Sequence, residues 1–154
     1  MSIVVVGVGN SLRGDDGAGV AVAERIRTRT PEDVDVRICE LEPSRLVEAL
    51  AGADVAFVVD AVSTGAPAGT VHRFDASDSP IPSRDLRSST HALGIGESLE
   101  LARALDRLPR RTIVFGVEGS QFLAGAEMSL AVEVGVELAA ASVLEEVSQC
   151  MNAP

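Results

Sequence analysis

Four side chains of this sequence are spaced to do chemistry together: two adjacent acids, Asp15 and Asp16, a third acid, Asp60, and a histidine, His91. The first pair closes the stretch Val4-Val5-Val6-Gly7-Val8-Gly9-Asn10-Ser11-Leu12-Arg13-Gly14-Asp15-Asp16-Gly17, an apolar strand running into a glycine loop. Such a loop between strand and helix ordinarily turns backbone N–H groups and a positive helix terminus toward a phosphate. Carboxylates at that terminus repel phosphate and attract metal ions. One acid suffices to cap a helix, so Asp15 is assigned that structural duty. Asp16, in the first turn and facing the mouth of the strand, is left for function.

Asp60 follows the apolar run Ala56-Phe57-Val58-Val59 and is expected to leave the sheet at its carboxyl rim, where ligands sit in open α/β sheets. This puts it beside Asp16; a turn-forming Asp is the structural alternative. A lone histidine ahead of a helix usually caps or packs, but in company with two acids His91 reads as a ligand. Two carboxylates and one imidazole suit a divalent transition ion such as nickel or zinc, and three protein ligands leave coordination positions open for chemistry or recognition. His72 sits in the polar–apolar alternation of an edge strand and is read as surface. A dinucleotide fingerprint would need glycine where Leu12 stands, although Glu40 and Glu42 fall about where a ribose-binding acid would lie. Sequence signatures of serine, zincin-type or cysteine hydrolases are absent.

The elements that must position these residues follow from hydrophobic patterning. Short β-branched runs at about 3–8, 34–39, 54–60, 69–74 and 111–117 alternate with helical patterns at about 16–28, 43–51, 91–106 and 129–148. The expected fold is a three-layer α/β/α sandwich on a central, mostly parallel, five-stranded twisted sheet. Strands one, three and five are continuous apolar runs and should form its centre. Strand four alternates, follows a short turn, and is expected antiparallel at one edge, which makes the sheet mixed. Glu133, Glu137, Ala141 and Glu145 recur every four residues and define a solvated stripe on the last helix.

With 154 residues and 46% apolar composition the chain is expected to form one domain over residues 1–154. Its 23 acids against 13 bases, all Arg, give a net charge of −10, which offers no footprint for nucleic acid or anionic membrane. No leader or membrane span is read at the N-terminus, so a cytoplasmic location is expected. Cys39 and Cys150, far apart and without ligand spacing, are read as reduced packing residues. The segments 77–90 and 116–129 are long irregular connections of the kind that border a cleft.

Taken together, Gly7-Val8-Gly9-Asn10 with Asp15-Asp16-Gly17, Val59-Asp60-Ala61, Ser89-Thr90-His91-Ala92-Leu93-Gly94 and Phe115-Gly116-Val117-Glu118 resemble the hydrogenase maturation proteases, in the same order and spacing over nearly the whole chain. The resemblance implies a cytoplasmic endopeptidase that removes a C-terminal extension from the precursor of a nickel-iron hydrogenase large subunit after nickel insertion. The nickel belongs to the substrate, and no organic cofactor is implied. Residue by residue, the family's metal-contacting and catalytic positions fall on Asp16, Asp60 and His91. Glu118-Gly119-Ser120 departs from the Pro that many members carry after the acid, which bears on the shape of that loop.

Two mechanisms stay open at this level: the ion polarises the scissile carbonyl or acidifies a bound water, or a carboxylate acts as general base on an unbound water. Two other classes compete with a protease, namely a non-catalytic nickel-binding maturation chaperone using the same triad and a Rossmann-like nucleotide-binding module.

Overall fold

The computed structural model describes residues 1–40, 45–82 and 94–153. Five strands, β1 (Ile3–Gly9), β2 (Val34–Glu40), β3 (Val55–Val62), β4 (Val71–Asp75) and β5 (Arg111–Glu118), form one sheet in the order β2-β1-β3-β5-β4. The first four neighbours in that order run parallel, and β4 pairs antiparallel with β5. The apolar runs are thus the three inner strands. Every residue of β1 and β3 is buried, whereas the edge strands β2 and β4 keep exposed positions along their length. This is the contrast expected between strands covered on both faces and strands at a margin.

The antiparallel edge is as expected, but β4 does not pair with the strand that precedes it. β5 lies between β3 and β4. The turn after β3 arches over the end of β5 and is fastened there: Gly119 N–H donates to Val62 O, Gly69 N–H to Glu118 O and Glu118 N–H to Thr70 O.

Helices cover both faces. On one side α1 (Ala18–Arg27) and α4 (Leu130–Asn152) bury Val22, Ile26, Val136 and Val143 against Val5, Phe57, Val59 and Phe115. On the other, α2 (Leu46–Leu50) and α3 (Ile95–Ala104) bury Leu46, Leu50 and Leu99 against Val4, Val6, Val58 and Val114. In β1, β3 and β5 the residues divide by parity, odd to the first layer and even to the second, as a period of two demands. Cys39 and Cys150 are buried and free, one in each layer. The stripe read on α4 is exposed as expected, yet Leu130, Val134 and Leu138 share that outer side at 80%, 62% and 56% exposure. Among the described residues no helix is long and apolar enough to cross a membrane.

One packing device sets the height of the site. A Cβ at Gly19 would collide with the carbonyl oxygens of Val8 and Val59, and one at Gly7 would strike Gly19 O and stand 2.7 Å from Ala23 Cβ. The close helix–strand approach that a dinucleotide fingerprint assigns to its third glycine is made here by Gly19, inside α1. Helix propensity alone favours Gly19→Ala by about 1 kcal/mol. The collisions are with backbone that cannot swing away, so the sign reverses, and the substitution is expected to cost about 1–3 kcal/mol. Thermal denaturation should show a Tm lower by several degrees; a Tm at or above that of the parent would mean that α1 shifts freely.

Candidate active site

Between β1 and α1 the chain makes a compact loop closed by a single 3-10 turn, Gly14–Gly17. Asn10 organises it. Its side-chain oxygen accepts from Leu12 N–H at 2.9 Å, its carbonyl accepts from Arg13 N–H at 3.2 Å, and its own N–H donates to Asp16 O at 3.1 Å. Gly9 has φ +149°, and a Cβ there would collide with Asp16 O and stand 3.8 Å from Asp60 Oδ1. Glycine is therefore required at the point where the first loop meets the end of β3. Glu40, one of the two acids weighed for a ribose, instead holds this loop, accepting from the Ser11 N–H at 3.1 Å and from the Ser11 hydroxyl. Glu42 lies outside the described residues.

Asp15 and Asp16 are both buried, at 0% and 1% exposure, but their duties diverge. Asp15 does not cap the helix it precedes, and the 3-10 turn has no side-chain cap. Its Oδ2 accepts from the N–H groups of Ser120 (2.9 Å) and Gln121 (2.8 Å), and its Oδ1 from the N–H (2.8 Å) and hydroxyl (3.0 Å) of Ser129. Its own N–H donates to Gln121 O at 2.7 Å. Asp15 thus stitches the first loop to the connection between β5 and α4. Burial pushes its carboxyl up, but the donated N–H groups of Ser120, Ser129 and Gln121 and the Ser129 hydroxyl outweigh that and hold it below the usual carboxylate range.

Asp60 does not leave the sheet. It is the sixth residue of β3, in register with Gly116 of β5, and is 1% exposed. Its Oδ1 accepts from Ala61 N–H at 2.8 Å. Burial raises its carboxyl well above the ordinary range, the charge of Asp16 raises it further, and the Ala61 N–H only partly opposes them. The expected neighbourhood of Asp16 and Asp60 is therefore present, as an electrostatic conflict between two acids at the carboxyl rim of the central strands. A divalent cation would relieve that conflict, and so would a shared proton. His91, the third residue of the expected set, lies outside the described residues. Among the described residues no group of three or more His, Cys, Asp or Glu is placed to hold a metal ion.

A fourth buried acid was given no role of its own by the sequence reading. Glu118, at the end of β5, is 1% exposed. It accepts from Thr64 N–H at 2.8 Å and from the Thr64 hydroxyl at 2.5 Å, and its Oε1 lies 3.0 Å from His72 Nε2. His72 is accordingly half-buried against an acid 46 residues away, not a free surface histidine. Apart from its place in the family motif, the sequence signal for Glu118 was a charged residue ending an apolar strand, the same signal that singled out Asp60. The Gly119-Ser120 departure is also accounted for: a Cβ at Gly119 would stand 2.9 Å from Asp15 Cβ and 2.7 Å from the Phe122 ring, and Ser120 supplies a backbone N–H to Asp15.

A family model described as hydrogenase maturation protease matches residues 20–146, a span that includes Asp60 and His91 and begins after Asp16. Hydrogenase expression/formation protein HupD of Thiocapsa roseopersicina is 32% identical over 118 residues, covering 75% of this chain and 53% of HupD. The chain thus spans about half the length of that curated relative. Among solved structures, the hydrogenase maturating endopeptidase HybD from E. coli superposes with a TM-score of 0.80 at 26% identity, over 97% of this chain and 94% of that one. The NiFe hydrogenase maturation protease HycI from Thermococcus kodakarensis KOD1 gives a TM-score of 0.75 at 26% identity, over 94% and 90% of the two chains.

Proposed function

This chain belongs to the hydrogenase maturation protease family, and from that premise we propose that it is an endopeptidase that removes the C-terminal extension of a nickel-iron hydrogenase large-subunit precursor once nickel has been inserted. The observation that carries the reading is the pair Asp16 and Asp60: two carboxylates buried at the rim of the sheet, one of them raised by burial and further by the charge of the other. Bringing like charges together out of water is unfavourable unless something compensates. Nickel arriving in its precursor compensates by adding positive charge between them. His91 is proposed as the third side chain on the ion.

The same ion then serves recognition and cleavage. A precursor without nickel brings no charge to offset the two acids, so cutting is conditional on loading. When bound, the nickel polarises a neighbouring carbonyl or acidifies a water. The work of the chain is to hold Asp16 on a loop fixed by Asn10 and Asp60 on a central strand, so that neither has to reorganise. The raised carboxyl of Asp60 also suits it to hold and exchange a proton, as an aspartyl-type mechanism on an unbound water requires.

The test is intact mass spectrometry of a large-subunit precursor, nickel-loaded and nickel-free, after incubation with this protein and with its His91→Ala variant. Loss of a C-terminal peptide only from the nickel-loaded precursor and only with the parent protein is the expected result. Equal cleavage of both precursors would remove the gating role of nickel. An unchanged mass with tight nickel binding would favour a maturation chaperone.

A further inference from the structure

Beyond the acid pair, the first loop has a second, outward side. Ser11, Gly14 and Gly17 form one wall of a groove of about 870 Å³ whose opposite wall is the start of α4 and the residues before it. Its larger apolar lining residues are Val20, Met128 and Leu130, and its charged lining is Glu24, Glu127 and Glu133, with no Arg among the lining residues. All three acids are exposed, and none is in an ion pair among the described residues. Arg13, on the same loop, donates its Nε–H to Phe122 O and stays out of the groove.

The seam between α1 and α4 supplies its own comparison. One helical turn beyond Glu133, Glu137 lies 2.5 Å from Arg25 and 3.9 Å from Arg29. The carboxylate at that level of the seam is neutralised within the chain, whereas Glu24, Glu127 and Glu133 at the groove are not. Leu130, 80% exposed, continues into Val134 and Leu138 at four-residue spacing, an apolar ridge on the side of α4 that faces solvent. An anionic occupant is repelled. A second copy of a chain with net charge −10 would bring more negative charge to a wall that already has three acids.

We propose that this groove docks a basic segment of the precursor, its Lys or Arg side chains over Glu24, Glu127 and Glu133 and an interleaved apolar side chain against Leu130. The proposal rests on the endopeptidase reading for the identity of the partner. It adds a recognition surface separate from the acid pair and built on the same loop: the turn that buries Asp16 also forms the groove wall. A segment seated there therefore holds the precursor against the element that positions Asp16.

The probe is a fluorescein-labelled peptide of three arginines alternating with leucines, followed by anisotropy. Two variants of equal charge are compared: Glu24→Gln/Glu127→Gln/Glu133→Gln in the groove, and Glu32→Gln/Glu97→Gln/Glu145→Gln at exposed sites elsewhere. The groove variant is expected to weaken Kd at least tenfold and to raise KM for the nickel-loaded precursor, and the control variant to change Kd less than twofold. Equal weakening by both would reduce the effect to net charge and overturn the proposal, as would no weakening by either. A dimer in sedimentation that the groove variant abolishes would give the groove to a second copy and also overturn it. Groove-dependent binding of a precursor that is never cut sinks the endopeptidase reading and leaves the groove standing. Normal cutting with unchanged KM by the groove variant does the reverse.

Discussion

Asp60→Asn is expected to reduce precursor cleavage by about 10²–10⁴-fold while raising the melting temperature of the protein at neutral pH. The two effects have one cause. Asp60 is fully enclosed, and its carboxyl is pushed up first by burial and then by Asp16. Asparagine keeps the volume and an oxygen to accept the Ala61 N–H, but it removes the charge a metal would need and the proton a general acid or base would exchange. It also removes the conflict with Asp16. Because the folded-state pKa of Asp60 is raised, its contribution to stability is fully present below the unfolded value of roughly 3.9 and is lost as pH rises through the raised value. The asparagine cannot titrate. The Tm difference between variant and parent should therefore be near zero at pH 4 and grow in favour of the variant toward pH 8, which a series of thermal melts reads directly. Full cleavage by the variant, or a lower Tm at pH 8, would show that Asp60 is an ordinary strand residue. A stabilising substitution that abolishes activity is the usual signature of a site whose charges are arranged for function at the expense of stability.

The second large effect concerns its neighbour in sequence and not in role. Asp15→Asn is expected to destabilise the fold by about 3–5 kcal/mol, in the range for breaking a buried hydrogen-bonded charge. A residue that merely capped a helix would tolerate this change almost without cost, since Asn caps as well as Asp. Asp15, however, receives N–H donors on both oxygens, from Ser120 and Gln121 on one and Ser129 on the other. An amide has one accepting oxygen, so its NH₂ must face donors on one side or the other. The folded-state pKa of Asp15 lies below its unfolded value, so this stabilisation is present above roughly pH 4 and is lost as pH falls through the folded value. Urea unfolding at pH 7 should show the full difference, and the gap between variant and parent should narrow on acidification. A difference under about 1 kcal/mol at pH 7 would return Asp15 to the capping role.

These paired outcomes bear on how the site was legible. The acid pair was accessible from the chain because each member ends or follows a glycine loop or an apolar run, and a charged residue at such a place must lie at the rim of a sheet. Glu118 met the same criterion and was read only within the family motif, with no role of its own, because the histidine that accompanies it, His72, lies on another strand. The close approach of α1 was sought at Leu12, where a nucleotide fingerprint would have it, and is found at Gly19, since only the course of the helix over Val8 and Val59 says which glycine must be bare.

Local pattern alone determined the order and type of the elements, the parallel inner strands, the antiparallel edge strand and the candidacy of Asp16 and Asp60. Each of these depends on whether a residue is buried, and periodicities of two and 3.6 report burial directly. What only the tertiary structure decided is partnership: β5 inserted between β3 and β4, Asp15 bound to backbone 105 to 114 residues away, and Glu118 closing on Thr64 and His72 from distances of 54 and 46 residues. A buried polar group must find donors or acceptors. Its own neighbourhood in the chain says that the need exists, and only the packed fold says which distant residue meets it.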